Sequence, residues 1–318
     1  MSTSVNFLPH VAVIVPIYNG ERDLPELIDC LRKQTYPQDK VDYLLVDNNS
    51  SDRTKEILEQ SAVKLAGEGV KISPLNSSKI QSSYAARNTG IKATKKEILV
   101  FTDADCRPEP DWLEFLVQPL SNPQVGIVAG EIIALPSKNW LEKYADAQET
   151  LSQKHTLAHS FCPYGQTANL AIRRQALVEV GLFRPYMTTG GDADICWRIL
   201  RQTDWQIEFA PQSIVRHRHR STIPELRSQW RRYGRSNRYL HELYGVPLQR
   251  ELTTRESIYR LSRWLAKELP TTAVKVISGD ANGVELIKTP VDLIGMQARS
   301  MGQRKTRFPE TATEIEWL

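Results

Sequence analysis

The chain predicts an α/β protein with a mostly parallel central sheet flanked by helices, followed by a helical C-terminal extension. Three observations lead there. Short apolar runs alternate with segments of helical period, the pattern of βαβ units. Three of the runs open into polar or acidic residues, which sets Asn19, Asp47 and Asp103/Asp105 along one sheet edge. From about Thr222 strand patterns give way to helical ones and arginines cluster.

Val11–Asn19 begins as an unbroken apolar run, as expected of a parallel strand buried on both faces. Leu24, Leu27, Ile28 and Leu31 then recur at helical spacing. Tyr43–Asp47 reads as a second strand, Asn48–Asp52 as a turn and helix start, and Ile57, Leu58 and Leu65 mark that helix. Val70–Ile72 is a short third strand, and Tyr84–Ile91 is a helix that packs closely through its alanines. Ile98–Phe101 is a β-prone run leading into Thr102-Asp103-Ala104-Asp105-Cys106. Beyond it come a short helix over Trp112–Leu120, one strand or two over Val125–Ile133, and a long helix from Asn139 to about His159. Thr167–Ile172 and Gln206–Ala210 read as strands, and Gly190–Leu200 begins with two glycines and ends as a helix. The predicted division is 1–221 for the α/β domain and 222–318 for the extension, with a loose tail after Arg304.

The apolar fraction of 41% supports a real core, and the net charge of +4 is too weak to argue for nucleic acid. Cys30, Cys106, Cys162 and Cys196 are scattered without a CxxC pair, which points away from a zinc site or disulfide framework and towards a reducing compartment. There is no stretch of membrane-spanning length and no signal-like N-terminus. The expectation is a cytoplasmic protein, open to peripheral contact with the inner face of the membrane. Ile258, Leu261, Trp264, Leu265 and Leu269 form an apolar stripe beside Arg255, Arg260, Arg263 and Lys267. Such a helix either lies on an anionic membrane or packs on the main domain.

Asp103 and Asp105 stand one residue apart where a strand leaves the sheet, the usual ligand edge of an open α/β sheet. Two carboxylates so placed repel unless a cation lies between them. A divalent ion carrying phosphate oxygens meets that need; a plain polar turn is the other reading.

Val13–Asn19, Val46-Asp47-Asn48-Asn49-Ser50, Ala86-Arg87-Asn88, Asp103-Ala104-Asp105 and Gly191-Asp192-Ala193-Asp194 together resemble family 2 glycosyltransferases of the GT-A fold, in family order over roughly the first two-thirds of the chain. The resemblance implies an inverting transfer of a sugar from a nucleotide-diphosphate donor, a UDP-sugar by preference, to a hydroxyl acceptor such as a glycan or lipid-linked saccharide. It implies Mn²⁺ or Mg²⁺ held by Asp105, with Asp103 on the ribose or on the metal through water. It places Asp47 on the base, where an acceptor-only carboxylate suits an imide N–H, with Pro16, Tyr18 and Asn19 walling base and ribose. Arg87 would reach the base or a phosphate, or pair with an edge aspartate. Asp192 is the candidate general base. Where the family usually has glutamate this chain has Gly191, so that motif is partial, and Gly191 is placed with Asn169 on the sugar side. His217 and His219, set among Arg216, Arg218 and Arg220, are both open as a further metal ligand. Gln229–Tyr233 resembles a Gln-x-x-Arg-Trp element, and Arg232 is assigned to phosphate at the acceptor end.

Two rival functions follow from the same residues. A nucleotidyltransferase needs a Gly-rich basic loop after the first strand, and Pro16–Gly20 lacks one. A non-catalytic nucleotide-sugar-binding protein draws its support from the partial motif at Gly191-Asp192.

Overall fold

The alternating apolar runs assemble into one eight-stranded sheet in a computed structural model that describes residues 7–280 and 282–318. In chain order the strands are β1 (Val11–Ile17), β2 (Val41–Asp47), β3 (Ile72–Asn76), β4 (Ile98–Phe101), β5 (Cys106–Pro108), β6 (Val125–Ala134), β7 (Leu170–Arg173) and β8 (Gln206–His217). The spatial order is β3-β2-β1-β4-β7-β6-β8-β5. The first four are parallel, and β7 turns the sheet antiparallel, pairing with both β4 and β6. The parallel half is built from the sequence's βα alternation, with α1 (Leu24–Arg32), α2 (Thr54–Ala66) and α3 (Ser83–Lys92) as crossovers. Every residue of β1 and β4 is buried, which explains their unbroken apolar composition.

The chain forms two compact units. The first comprises residues 1–133, 151–218 and 309–318; the second comprises 134–150 and 219–308. In the first, the core runs from Val13, Val15 and Leu27 through Tyr43 and Val100 to Trp112 and Val215. It also holds α4 (Trp112–Val117), α6 (Gln153–Leu157), α7 (Arg174–Val180) and α8 (Gly191–Gln202). The second is helical: α5 (Trp140–Ala147), α9 (Ile223–Tyr244), α10 (Thr254–Arg263), α11 (Leu269–Ser278) and α12 (Lys288–Lys305). Helix α9 opens with a capping box, in which Thr222 accepts from the Glu225 N–H while Glu225 reaches back to the Thr222 N–H. Leu141, Tyr144, Leu226, Val284 and Val291 make a small core of its own.

Several expectations change. The long helix over 139–159 is two short ones, because Glu149 adopts a left-handed φ of 46° and ends the first. The third strand begins at Ile72, where the expected one ended. β8 runs on through Pro211 to His217, and β5 was not anticipated at all. The tail is not loose. The Glu316 carbonyl accepts from Leu182 N–H at 2.7 Å, its carboxylate accepts from Asn88 and pairs with Lys92, and Ala312 is fully buried.

Candidate active site

In the parallel register Ile17 lies opposite Asp47, and Ile14 opposite Phe101. The C-terminal ends of β1, β2 and β4 therefore open on one edge, and Asp47 and Asp103–Asp105 are delivered there together. Asp47 is buried, and its Oδ1 accepts from the Ser50 N–H at 3.1 Å. Tyr18, just past β1, is exposed over 58% of its surface and presents a free aromatic face.

Asp103 meets Arg87 at 2.6 Å. The arginine is almost wholly buried, rests over the Tyr84 ring, and its Nε has no partner among the described residues. The pair sets a fixed positive charge beside the acidic edge. Two residues on, Asp105 Oδ1 stands 3.3 Å from His217 Nε2. Strand pairing makes this contact, since Cys106 of β5 lies opposite His217 of β8. His217 Nδ1 donates to the Arg218 carbonyl at 2.8 Å, which leaves Nε2 as the nitrogen with a lone pair when the ring is neutral. Burial pushes the imidazole pKa down, but the Asp105 charge and hydrogen bond outweigh it, and the net shift is upward.

Asp105, Cys106 and His217 bring ligand atoms within 4.8 Å of one another. Burial raises the Cys106 thiol well above its usual range, and a hard cation prefers oxygen and nitrogen donors to sulfur. The donor set left is one carboxylate and one imidazole, which fits a divalent cation that takes further ligands from a phosphate-bearing substrate. Arg107 braces this turn from below: its guanidinium donates to the Ala104 and Cys106 carbonyls at 3.1 and 2.8 Å and pairs with Asp23 and Glu26. Sequence reading missed Arg107. Its only signal was a charge in a segment that otherwise reads as core.

Asp192 sits in the first turn of α8, behind Gly190, whose φ of 79° only glycine takes easily. The Thr167 hydroxyl donates to its Oδ1 at 2.9 Å. Burial raises the Asp192 pKa, the Arg87 charge pulls it down and the Asp103 charge pushes it up. Asp194, one turn face away, is different. It is fully buried and salt-bridged to Arg184 at 2.9 Å and Arg198 at 3.0 Å. The two aspartates of the motif thus differ: Asp192 is half-buried with one hydroxyl partner, and Asp194 is buried between two arginines.

At four positions assigned from sequence the side chain or backbone is engaged within the fold. Asn169 is fully buried and engaged: its amide nitrogen donates to the Glu131 and Ser213 carbonyls at 2.8 Å each, and its oxygen accepts from Trp112 at 2.7 Å. Gly191 is engaged through its backbone. Its N–H donates to the Tyr84 hydroxyl at 3.0 Å, and a Cβ added there would lie 2.7 Å from the Tyr84 ring. Tyr84 fills the space a glutamate would need. Asn19 braces two loops, taking a φ of 49° and accepting from the Ser51 N–H at 2.8 Å. Pro16 is buried inside β1 opposite Val46. Arg232 is exposed on α9, and His219 is buried two residues beyond β8; both belong to the second unit, and the cluster with Asp105 contains His217.

Two family models match the chain: one described as glycosyl transferase family 2 over residues 12–181, the other as glycosyl transferase family group 2 over residues 98–274. Glycosyltransferase AglE of Haloferax volcanii is 32% identical over 261 residues, spanning 81% of this chain and 80% of that protein. The pre-mycofactocin glycosyltransferase of Mycobacterium tuberculosis is 27% identical over 231 residues, 71% of this chain but 46% of its own length. The chain therefore spans less than half of that second relative. Among solved structures, the mannosyltransferase PcManGT from Pyrobaculum calidifontis, in complex with GDP-Man and Mn²⁺, superposes with a TM-score of 0.60 at 19% identity, over 93% of this chain and 87% of its own. Glucosyl-3-phosphoglycerate synthase from Mycobacterium tuberculosis, solved with Mn²⁺, UDP and glucosyl-3-phosphoglycerate, gives 0.53 at 20% identity over 75% and 81%. At these identities the likeness is one of fold.

Proposed function

The chain belongs to glycosyl transferase family 2, with the GT-A fold, and on that footing we propose that it is a metal-dependent, inverting glycosyltransferase. Its donor is a nucleotide-diphosphate sugar, a UDP-sugar by preference, and its acceptor is a hydroxyl on a glycan or lipid-linked saccharide. The observation that carries the reading is the convergence of Asp105 and His217 at the ligand edge of the sheet, beside a pair formed by buried Arg87 and half-buried Asp103.

Asp47 and Tyr18 take the base. A carboxylate oxygen accepts an imide N–H, and an exposed ring stacks on the base face. Asp103, held by Arg87, faces the ribose side. Asp105 and His217 hold the cation. An imidazole among the donors favours Mn²⁺ over Mg²⁺, which prefers oxygen alone, and Mn²⁺ is present in both solved relatives named above. When bound, the ion neutralises negative charge on the departing nucleoside diphosphate as a Lewis acid.

Asp192 is the base. It takes the acceptor's hydroxyl proton as that oxygen bonds to the anomeric carbon, and the bond from that carbon to the diphosphate oxygen breaks on the opposite face. One displacement of this kind inverts the centre. The burial that raises its pKa also makes it a stronger proton acceptor, while Thr167 and the α8 N-terminus keep it ionised. Arg232 is assigned to an acceptor phosphate. Catalysis is assigned to 1–221, and 222–318 faces the acceptor or a membrane.

The test is a transfer and hydrolysis assay over a panel of UDP- and GDP-sugars with and without Mn²⁺, alongside thermal shift. A bound donor at a hundred times its Kd stabilises by about 2.7 kcal/mol. Stabilisation and turnover that both require Mn²⁺ are expected. Stabilisation by donor without any transfer or hydrolysis would favour the non-catalytic reading.

A further inference from the structure

Helices α10 and α11 are joined by a π-helical turn over Trp264–Glu268, so residues 254–278 form one continuous rod. The π turn accommodates Pro270, whose missing N–H would otherwise break an α-helical ladder. At 1.5 Å per residue the rod is about 37 Å long. One side of it is moored within its own unit: the Trp264 indole N–H donates to the Leu286 carbonyl at 3.0 Å, and Thr289 donates to Glu268 at 2.8 Å. The other side is bare. Ile258, Leu265 and Ile277 are exposed over 61, 62 and 87% of their surfaces, and Leu261 and Val274 are exposed with them.

Large aliphatic side chains in such numbers on one rod are not the usual covering of a solvated helix. Their neighbours are cationic. Arg255, Arg260, Arg263, Lys267 and Lys275 are all exposed along the same rod. Its two carboxylates are turned aside and engaged, Glu256 with Thr253 and Arg250, and Glu268 with Arg263 and Thr289. The wider charge distribution agrees. The second unit has nineteen lysines and arginines against eleven acids, a net +8, in a chain whose total is +4, so the first unit is net acidic. No described helix is long and apolar enough to cross a membrane.

We propose that this face of residues 254–278 is an interfacial surface that docks on an anionic lipid bilayer. The aliphatic side chains enter the headgroup boundary, and the arginines and lysines beside them meet lipid phosphates; the rod lies in the plane of the membrane. A protein partner for the same face would require complementary acidic groups, whereas a bilayer supplies apolar depth and negative charge together. The inference is independent of the transfer reaction, because lipid binding needs neither donor nor cation.

The experiment is co-sedimentation of the full chain with vesicles of phosphatidylcholine alone and of phosphatidylcholine with 30% phosphatidylglycerol, a composition chosen as an order-of-magnitude match to an anionic leaflet. Retention on the anionic vesicles is expected, with little on the neutral ones. Arg255→Ser with Arg260→Ser should weaken partitioning about 30-fold, from about fivefold per basic residue near the surface. Leu261→Asp with Leu265→Asp should abolish it. Both variants should keep the wild-type melting temperature, since the positions are exposed. Failure to bind anionic vesicles, or equal binding by the variants, overturns the proposal. So does a shift from dimer to monomer in light scattering in the aspartate variant, which would assign the face to a second copy of the chain.

Discussion

Replacing Asp194 by Asn tests whether the two aspartates of α8 do different work. The Asp194 carboxylate accepts from Arg184 Nε at 2.9 Å and from Arg198 Nε and Nη2 at 3.1 and 3.0 Å, with no exposure to solvent. Removing its charge takes the counter-ion from two guanidinium groups, and breaking a buried pair from one side costs about 3–5 kcal/mol. Arg198 keeps the carbonyls of Val180, Gly181 and Leu182 as acceptors, which argues for the lower end, about 3 kcal/mol. For a unit of this size each kcal/mol lowers Tm by about 2–4 °C, so a fall of roughly 6–12 °C is expected. Asp192→Asn should behave in the opposite way. The folded-state pKa of Asp192 is raised by burial. A raised carboxyl pKa contributes stability below the unfolded value, and that contribution is lost as pH rises through the folded value. At neutral pH the wild type therefore carries the cost of a buried charge, and Asp192→Asn should melt at the same temperature or higher. Differential scanning fluorimetry beside a transfer assay separates the two. The reasoning is refuted if Asp194→Asn leaves Tm within a degree of wild type, or if Asp192→Asn is the variant that unfolds early.

Further outcomes follow from the same geometry. His217→Gln should weaken Mn²⁺ binding by at least 10–100-fold, the range for perturbing a metal ligand's support, as read by titration calorimetry; unchanged affinity would remove His217 from the site. Mn²⁺ affinity in the wild type should decline as pH falls through a value above 6.5, since protonation of His217 closes Nε2 and its pKa is raised by Asp105. A decline beginning only in the carboxylate range would contradict this. Turnover at saturating metal should show an acid limb lying above 3.8, the ordinary aspartate value, because burial raises Asp192. Gly191→Glu should lose activity through collision with the Tyr84 ring, 2.7 Å from the new Cβ, and Tyr84→Ala in the same chain should restore part of it. No rescue would mean that Tyr84 is not what excludes a side chain there.

The features legible from sequence were those set by local pattern. The strands ending at Ile17, Asp47 and Phe101 announce themselves by apolar runs, and parallel crossovers then deliver Asp47 and Asp103–Asp105 to one edge. What was hidden depends on pairing across long separations. His217 reaches Asp105 because β8 lies against β5, a three-residue strand containing an arginine and a proline that carries no strand signal of its own. Buried Ser213, Val215 and His217 alternate with half-buried Ile214 and Arg216, but the residue types do not alternate in polarity, so the sequence did not signal it. Asn169 looked like a ligand because it is polar and ends the Tyr164–Asn169 stretch that leads into a strand, a place that lines the sugar side in the resembled family. Its partners come from Trp112, Glu131 and Ser213, which are brought to it by folding alone. The gap in the motif at Gly191 was visible, but its cause is Tyr84, 107 positions earlier. The break at Glu149 has no glycine or proline to signal it.

The central claim is that Asp192 is the base of a metal-dependent sugar transfer. Its most direct test is the single-turnover rate of Asp192→Asn with saturating nucleotide sugar and Mn²⁺, measured beside the Kd of the same donor. A rate lower by about 10²–10⁴-fold with donor affinity unchanged is predicted, since removing a general base affects the chemical step and leaves binding intact. A rate near wild type would contradict the account.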